Sequence, residues 1–122
     1  MHAIVLFAHG SRDPLWHQPI QAVAQRIAQQ SPHTLVRCAY LELTAPDLPT
    51  VAAELAAAGA SSLCVVPMFL GVGRHAREDL PQLMSDIQTA HPSMDITCQK
   101  AIGEHPALLD LLASIALGPS KA

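Results

Sequence analysis

The chain has 122 residues, half of them hydrophobic but only 3% aromatic, and a formal net charge of −3. That length accommodates one hydrophobic core, so a single domain spanning 1–122 is expected. Seven Lys+Arg against ten Asp+Glu provide no basic face for neutralising phosphates, which argues against nucleic acid as a partner.

Cys38, Cys64 and Cys98 each sit in an apolar segment and form no CxxC pair. An odd number fits poorly with a disulfide framework, so all three are expected as small buried hydrophobes in a reducing compartment. Met1 leads within two residues into a strand-like run, without the charged and apolar regions of a signal peptide. The apolar runs are too short for a membrane span. A soluble, cytoplasmic protein with no membrane partner is expected.

His2 to His9 (HAIVLFAH) is a continuous β-favouring run ended by Gly10-Ser11. Asp13 is placed to cap a helix with Pro14 in its first turn. Ile20, Val23, Ala24, Ile27 and Ala28 continue it at helical spacing until Ser31-Pro32. Thr34 to Leu43 reads as a second strand. Asp47 is placed to cap a helix through Val51, Ala52, Leu55 and Ala58 to Gly59, a suitable C′ residue. Ser61 to Leu70 (SSLCVVPMFL) is a third strand with Pro67 near its end.

Gly71 to His75 is expected as a loop, with a helix starting between Arg74 and Pro81 and running to His91-Pro92. Met94 to Ala101 is a fourth strand and His105 to Leu117 a last helix. The alternation predicts an α/β fold: an open, mainly parallel four-stranded sheet, helices on both faces, in the flavodoxin-like order 2-1-3-4.

Ligands of such sheets bind beyond the carboxyl ends of the strands, where strand order reverses. Here that point lies between strands one and three. His9 closes strand one, Glu42 ends strand two, and His75 follows strand three by five residues. Two imidazoles with open coordination positions suit a divalent metal that is passed on rather than stored. Hydrogen-bonded surface histidines are the alternative, and residue types alone leave it open. Arg12, Arg74 and Arg77 fall around the same edge and suit an anionic, multi-carboxylate ligand; solvated surface charge is the alternative.

Two other motifs fail on detail. Gly71-Val72-Gly73-Arg74-His75-Ala76 matches GxGxxA, but it follows strand three, and Gln99-Lys100 offer no acid for a ribose. The two glycines instead allow close passage of a large flat ligand, or simply a turn. His9-Gly10-Ser11-Arg12 lacks the preceding Arg of an Arg-His-Gly phosphatase loop, because Ala8 stands there.

Ala8-His9-Gly10-Ser11-Arg12, Leu41-Glu42 with Pro46, and Pro67-Met68-Phe69-Leu70 continuing through Gly73-x-His75 to Asp79-Leu80-Pro81 resemble the CbiX and sirohydrochlorin-chelatase family. Ile102-Gly103-Glu104-His105-Pro106 adds a weaker match. The likeness covers nearly the whole chain. It implies insertion of Co²⁺ first, or Fe²⁺, into sirohydrochlorin or a related tetrapyrrole, for cobalamin or siroheme biosynthesis, and Ni²⁺ suits the same donors. It further implies metal ligation by His9 and His75, assistance by Glu42, and substrate contacts at Ser11, Arg12, Phe69, Gly71, Gly73 and Arg74. The metal is a substrate, and no permanently bound cofactor is implied. One lobe where larger relatives carry two implies a homodimer. A non-catalytic metal or tetrapyrrole carrier using the same pocket is the alternative from a different class, and a small α/β hydrolase is a second.

Overall fold

The computed structural model describes residues 1–119 and, within them, every side chain except that of His75. Four strands, β1 (His2–Ala8), β2 (Leu35–Tyr40), β3 (Ser62–Pro67) and β4 (Asp95–Cys98), alternate with helices α1 (Gln18–Gln30), α2 (Leu48–Ala57), α3 (Arg74–Ala90) and α4 (Pro106–Leu117). Two 3-10 turns, Pro14–His17 and Ile102–Glu104, precede α1 and α4. All strand pairs are parallel and the order is 2-1-3-4, as the sequence predicts. The switch point therefore falls between β1 and β3. No helix among the described residues is long and apolar enough to cross a membrane.

The pleat of β1 sends alternate side chains to opposite faces. Ala3, Val5 and Phe7 meet Val51, Ala52 and Leu55 of α2 and Ile87 of α3 on one face. Leu6 and Ala8 join Tyr40, Val66 and Ile20 of α1 on the other. Phe7, Tyr40 and Phe69 are all buried, whereas Trp16 is exposed.

Local chemistry sets the element starts. The Asp13 carboxylate accepts from the Leu15 N–H at 3.0 Å and opens the first 3-10 turn. Asp47 accepts from the Thr50 N–H at 2.9 Å and caps α2. Gly73 keeps extended backbone, and α3 begins at once with Arg74.

Several expected boundaries shift. Strands β2, β3 and β4 end at Tyr40, Pro67 and Cys98 rather than at Leu43, Leu70 and Ala101, because the chain bends away to build the loops of the carboxyl edge. His75 lies inside α3, not in a loop, and Pro81 is carried within that helix. The cysteines also differ from expectation: Cys38 and Cys64 are half-buried and Cys98 is exposed, all three as free thiols. The exposure of Cys98 follows from its place at the end of the edge strand, β4. Burial raises the pKa of the Cys38 thiol, so it is not primed as a thiolate.

Candidate functional site

Backbone pairing continues past β1 and β2 and holds the two loops together. The Leu41 N–H donates to the Ala8 carbonyl at 2.8 Å, and the Glu42 N–H to the His9 carbonyl at 2.9 Å. Gly10, at φ 101°, makes this closeness sterically feasible, since a Cβ there would run into the Glu42 carbonyl. Glu42 thus stands two residues beyond β2, anchored by its backbone to His9 with its side chain exposed.

The His9 ring lies tilted on the Phe69 ring, with centroids 4.4 Å apart. Phe69 is 3% exposed and meets Phe7 edge-on at 6.1 Å, so an aromatic column rises from the core to the imidazole. Phe69 is fixed in turn from the β4 side: the Gly103 N–H donates to its carbonyl at 2.9 Å. A Cβ on Gly103 would run into the Leu70 carbonyl.

The turn after His9 is also tied down. The Ser11 hydroxyl accepts from the Asp13 N–H at 3.0 Å, and the Ser11 carbonyl accepts from Nε2 of His17 at 2.8 Å. That bond sets the His17 tautomer with the proton on Nε2. His17 is buried against Tyr40, with ring centroids 4.6 Å apart. The structure makes His17 an internal brace. Burial and the neighbouring Cys38 raise the pKa of Tyr40, keeping its phenol neutral.

His9, Leu41, Glu42, Gly73, Arg74, Ala76 and Asp79 line one cavity of about 380 Å³. It brings together the expected His9, Glu42, Gly73 and Arg74. The backbone of His75 occupies the second position of α3, between Arg74 and Ala76 of that lining; its side chain lies outside the described residues. Arg74 is exposed and pairs with Glu78 at 3.0 Å. Arg12 is exposed on the turn after His9, and Gly71 is exposed on the loop before α3. Neither lines this cavity.

Arg77 leaves the group. With Lys100, Phe69 and Cys98 it lines a neighbouring apolar cavity of about 340 Å³ between α3 and the end of β4. Asp79 was not singled out as a site residue from the sequence, although its spacing offered a signal. It falls four residues after His75, one helical turn along the same face.

The profile of the CbiX family matches residues 3–116. The chain belongs to the CbiX family. Among CbiX relatives, the sirohydrochlorin cobaltochelatase of Methanococcus aeolicus is 33% identical over 88 residues. That match takes in 72% of this chain and 62% of the relative, so less than two thirds of that protein is represented. The structure named as a cobalamin (vitamin B12) biosynthesis CbiX protein of Marinobacter aquaeolei VT8 superposes with a TM-score of 0.82. It shares 30% identity, over 96% of this chain and 95% of that one. The sirohydrochlorin chelatase SirB of Bacillus subtilis subspecies spizizenii, in complex with cobalt, gives a TM-score of 0.78 at 26% identity. It matches 92% of this chain over 48% of its own length. The CbiX fold thus accounts for the whole described sheet and its carboxyl edge.

Proposed function

We propose that residues 1–122 act as a single chelatase lobe that inserts a divalent metal ion into sirohydrochlorin or a related tetrapyrrole. Co²⁺ is the first choice, and Fe²⁺ or Ni²⁺ suit the same donors. The setting is cobalamin or siroheme biosynthesis in the cytoplasm, and the working form is a homodimer. One observation carries this reading: a single cavity joins His9, Glu42 and the first turn of α3 at the switch point.

The reaction exchanges one M²⁺ for two pyrrole N–H protons. His9, with His75, would hold the metal above the ring through neutral imidazoles, leaving positions open for the incoming nitrogens. Once the metal passes to the ring, a freed imidazole can accept a proton. Glu42 and Asp79 line the path by which both protons leave. Arg12 on the turn after His9 and Arg74 at the start of α3 would grip the peripheral carboxylates of the ring, with Ser11, Gly71 and Gly73 as further contacts. Phe69 acts from beneath, as the support of His9.

The test is a spectrophotometric assay of sirohydrochlorin with Co²⁺, Fe²⁺ and Ni²⁺ in parallel. The expected result is an absorption change faster than the uncatalysed one, lost in His9→Ala while the circular dichroism stays native. Tight binding of the ring or the metal with no acceleration would instead establish a carrier.

A further inference from the structure

Two leucines stand exposed on the carboxyl edge, on either side of His9. Leu43 is the third residue past the end of β2, and Leu70 the third past the end of β3. Strands β2 and β3 flank β1, so the two segments approach the His9 turn from opposite sides. Leu43 is 55% exposed and Leu70 66%. Each follows a residue already tied to His9: Glu42 bonds through its N–H to the His9 carbonyl, and Phe69 lies against the His9 ring.

Nothing in the folding of the chain calls for a leucine at 43. Its φ is 68°, and among the described residues it is the one non-glycine residue at positive φ. Glycine and asparagine enter that region readily, whereas a bulky L-residue is strained there. The loop is held at both ends, by the Glu42 bond to His9 and by the Tyr40 N–H, which donates to the Pro46 carbonyl at 2.9 Å. Packing offsets little of the strain, since more than half of the Leu43 surface stays in water. A strained backbone that presents an exposed apolar group beside a candidate site marks a contact with a bound molecule.

Leu70 is presented as firmly. Its neighbour Phe69 is buried in the core, and the Leu70 carbonyl is seated against Gly103, where a Cβ would run into it. The backbone on both sides of His9 is therefore fixed, and the two leucine side chains are what it leaves exposed.

We infer that Leu43 and Leu70 are substrate-binding residues that carry the apolar face of the tetrapyrrole over the His9 site. This role rests on the proposed metal insertion and adds contacts that the histidines, Glu42 and the arginines do not supply. A tetrapyrrole is flat and apolar on its faces, with carboxylates only at its rim. Arg12 and Arg74 suit the rim, whereas the leucines suit the face. Aliphatic groups on both sides of His9 displace water from the ring and leave its central nitrogens above the imidazole. Neither leucine has a donor atom, so neither acts on the metal itself.

Trp16, the only tryptophan, is exposed on the 3-10 turn that follows Arg12, so quenching of its fluorescence reports binding of sirohydrochlorin to the full chain. Leu43→Asn suits the left-handed backbone but removes the apolar group. It should raise the Kd and KM for sirohydrochlorin roughly tenfold or more, the worth of one covered leucine. Its kcat should change less than its KM, and its urea midpoint should be no lower than that of the wild type. Leu70→Ser should raise KM likewise, while Leu43→Met and Leu70→Met, which stay apolar, should keep it near the wild-type value. Co²⁺ titration without the ring should match the wild type in all four. Unchanged Kd and KM in Leu43→Asn and Leu70→Ser overturn the role, as does a lowered urea midpoint in Leu43→Asn, which makes Leu43 a packing residue. A fall in mass by sedimentation velocity also overturns it, because the leucines are then a contact between copies. A wild type that inserts metal no better than its variants do refutes the leucines alone, whereas one that neither quenches nor inserts refutes the reaction as well.

Discussion

The imidazole of His9 rests on the ring of Phe69, centroids 4.4 Å apart and planes inclined by 35°. The contact couples the site to the core, because Phe69 is itself buried against Phe7. Phe69→Ala removes a fully packed ring and should cost about 3–5 kcal/mol of stability. Phe69→Leu keeps much of the volume and should cost under about 1.5 kcal/mol, but it leaves His9 without its planar support. Urea denaturation and metal-insertion rates, measured together, should show the Leu variant losing more activity than stability. Equal losses in both would reduce Phe69 to a packing residue.

Gly10 is the second lever on the same site. Its φ of 101° and its closeness to the Glu42 carbonyl both exclude a Cβ. Gly10→Ala should therefore lower stability by about 1–3 kcal/mol and push the Glu42 loop away from His9. Titration with Co²⁺ should weaken in the folded variant. Unchanged metal affinity would detach Glu42 from the metal step.

His9→Ala and Glu42→Gln should separate by role. His9 is assigned both metal ligation and proton acceptance, so His9→Ala should reduce insertion at least ~100-fold. Glu42→Gln keeps the side-chain volume and the backbone bond to His9, so metal affinity should change less than turnover. If Glu42→Gln abolishes Co²⁺ binding as His9→Ala does, Glu42 is a ligand rather than a proton relay.

The parts of this fold that depend on periodicity were legible in the sequence. The continuous β-favouring run of β1, the capping carboxylates of Asp13 and Asp47, and the helix–strand order together pointed to the 2-1-3-4 sheet. What sequence could not give depends on side-chain direction or on chain trajectory. His17 falls in a 3-10 turn, where helical spacing does not apply, so its brace on Ser11 had no periodic signature. Asp79 was obscured because His75 was expected in a loop; once α3 begins at Arg74, the four-residue spacing becomes a shared face. Helix α4 has an ordinary core-facing pattern, yet its Leu111, Leu112 and Ile115 are exposed. Family resemblance gathered His9, Glu42 and His75 from separate segments of the chain, a grouping that spacing alone left open.

The Asp47 cap gives a prediction in pH. Its carboxylate accepts from Thr50, and that bond holds its pKa below the ordinary 3.8. A depressed folded pKa means the charged form is favoured in the native state. The stabilisation is therefore complete above the unfolded value and is lost as pH falls through the folded one. Asp47→Ala should cost about 1 kcal/mol at pH 7, the usual worth of an N-cap. Asp47→Asn retains an acceptor oxygen and should cost only a fraction of that. Urea midpoints at pH 7 and pH 3 distinguish the cases: the gap between wild type and Asp47→Ala should narrow on acidification. A gap that stays constant across that range would mean that the charge on Asp47 adds nothing beyond the geometry of its oxygen.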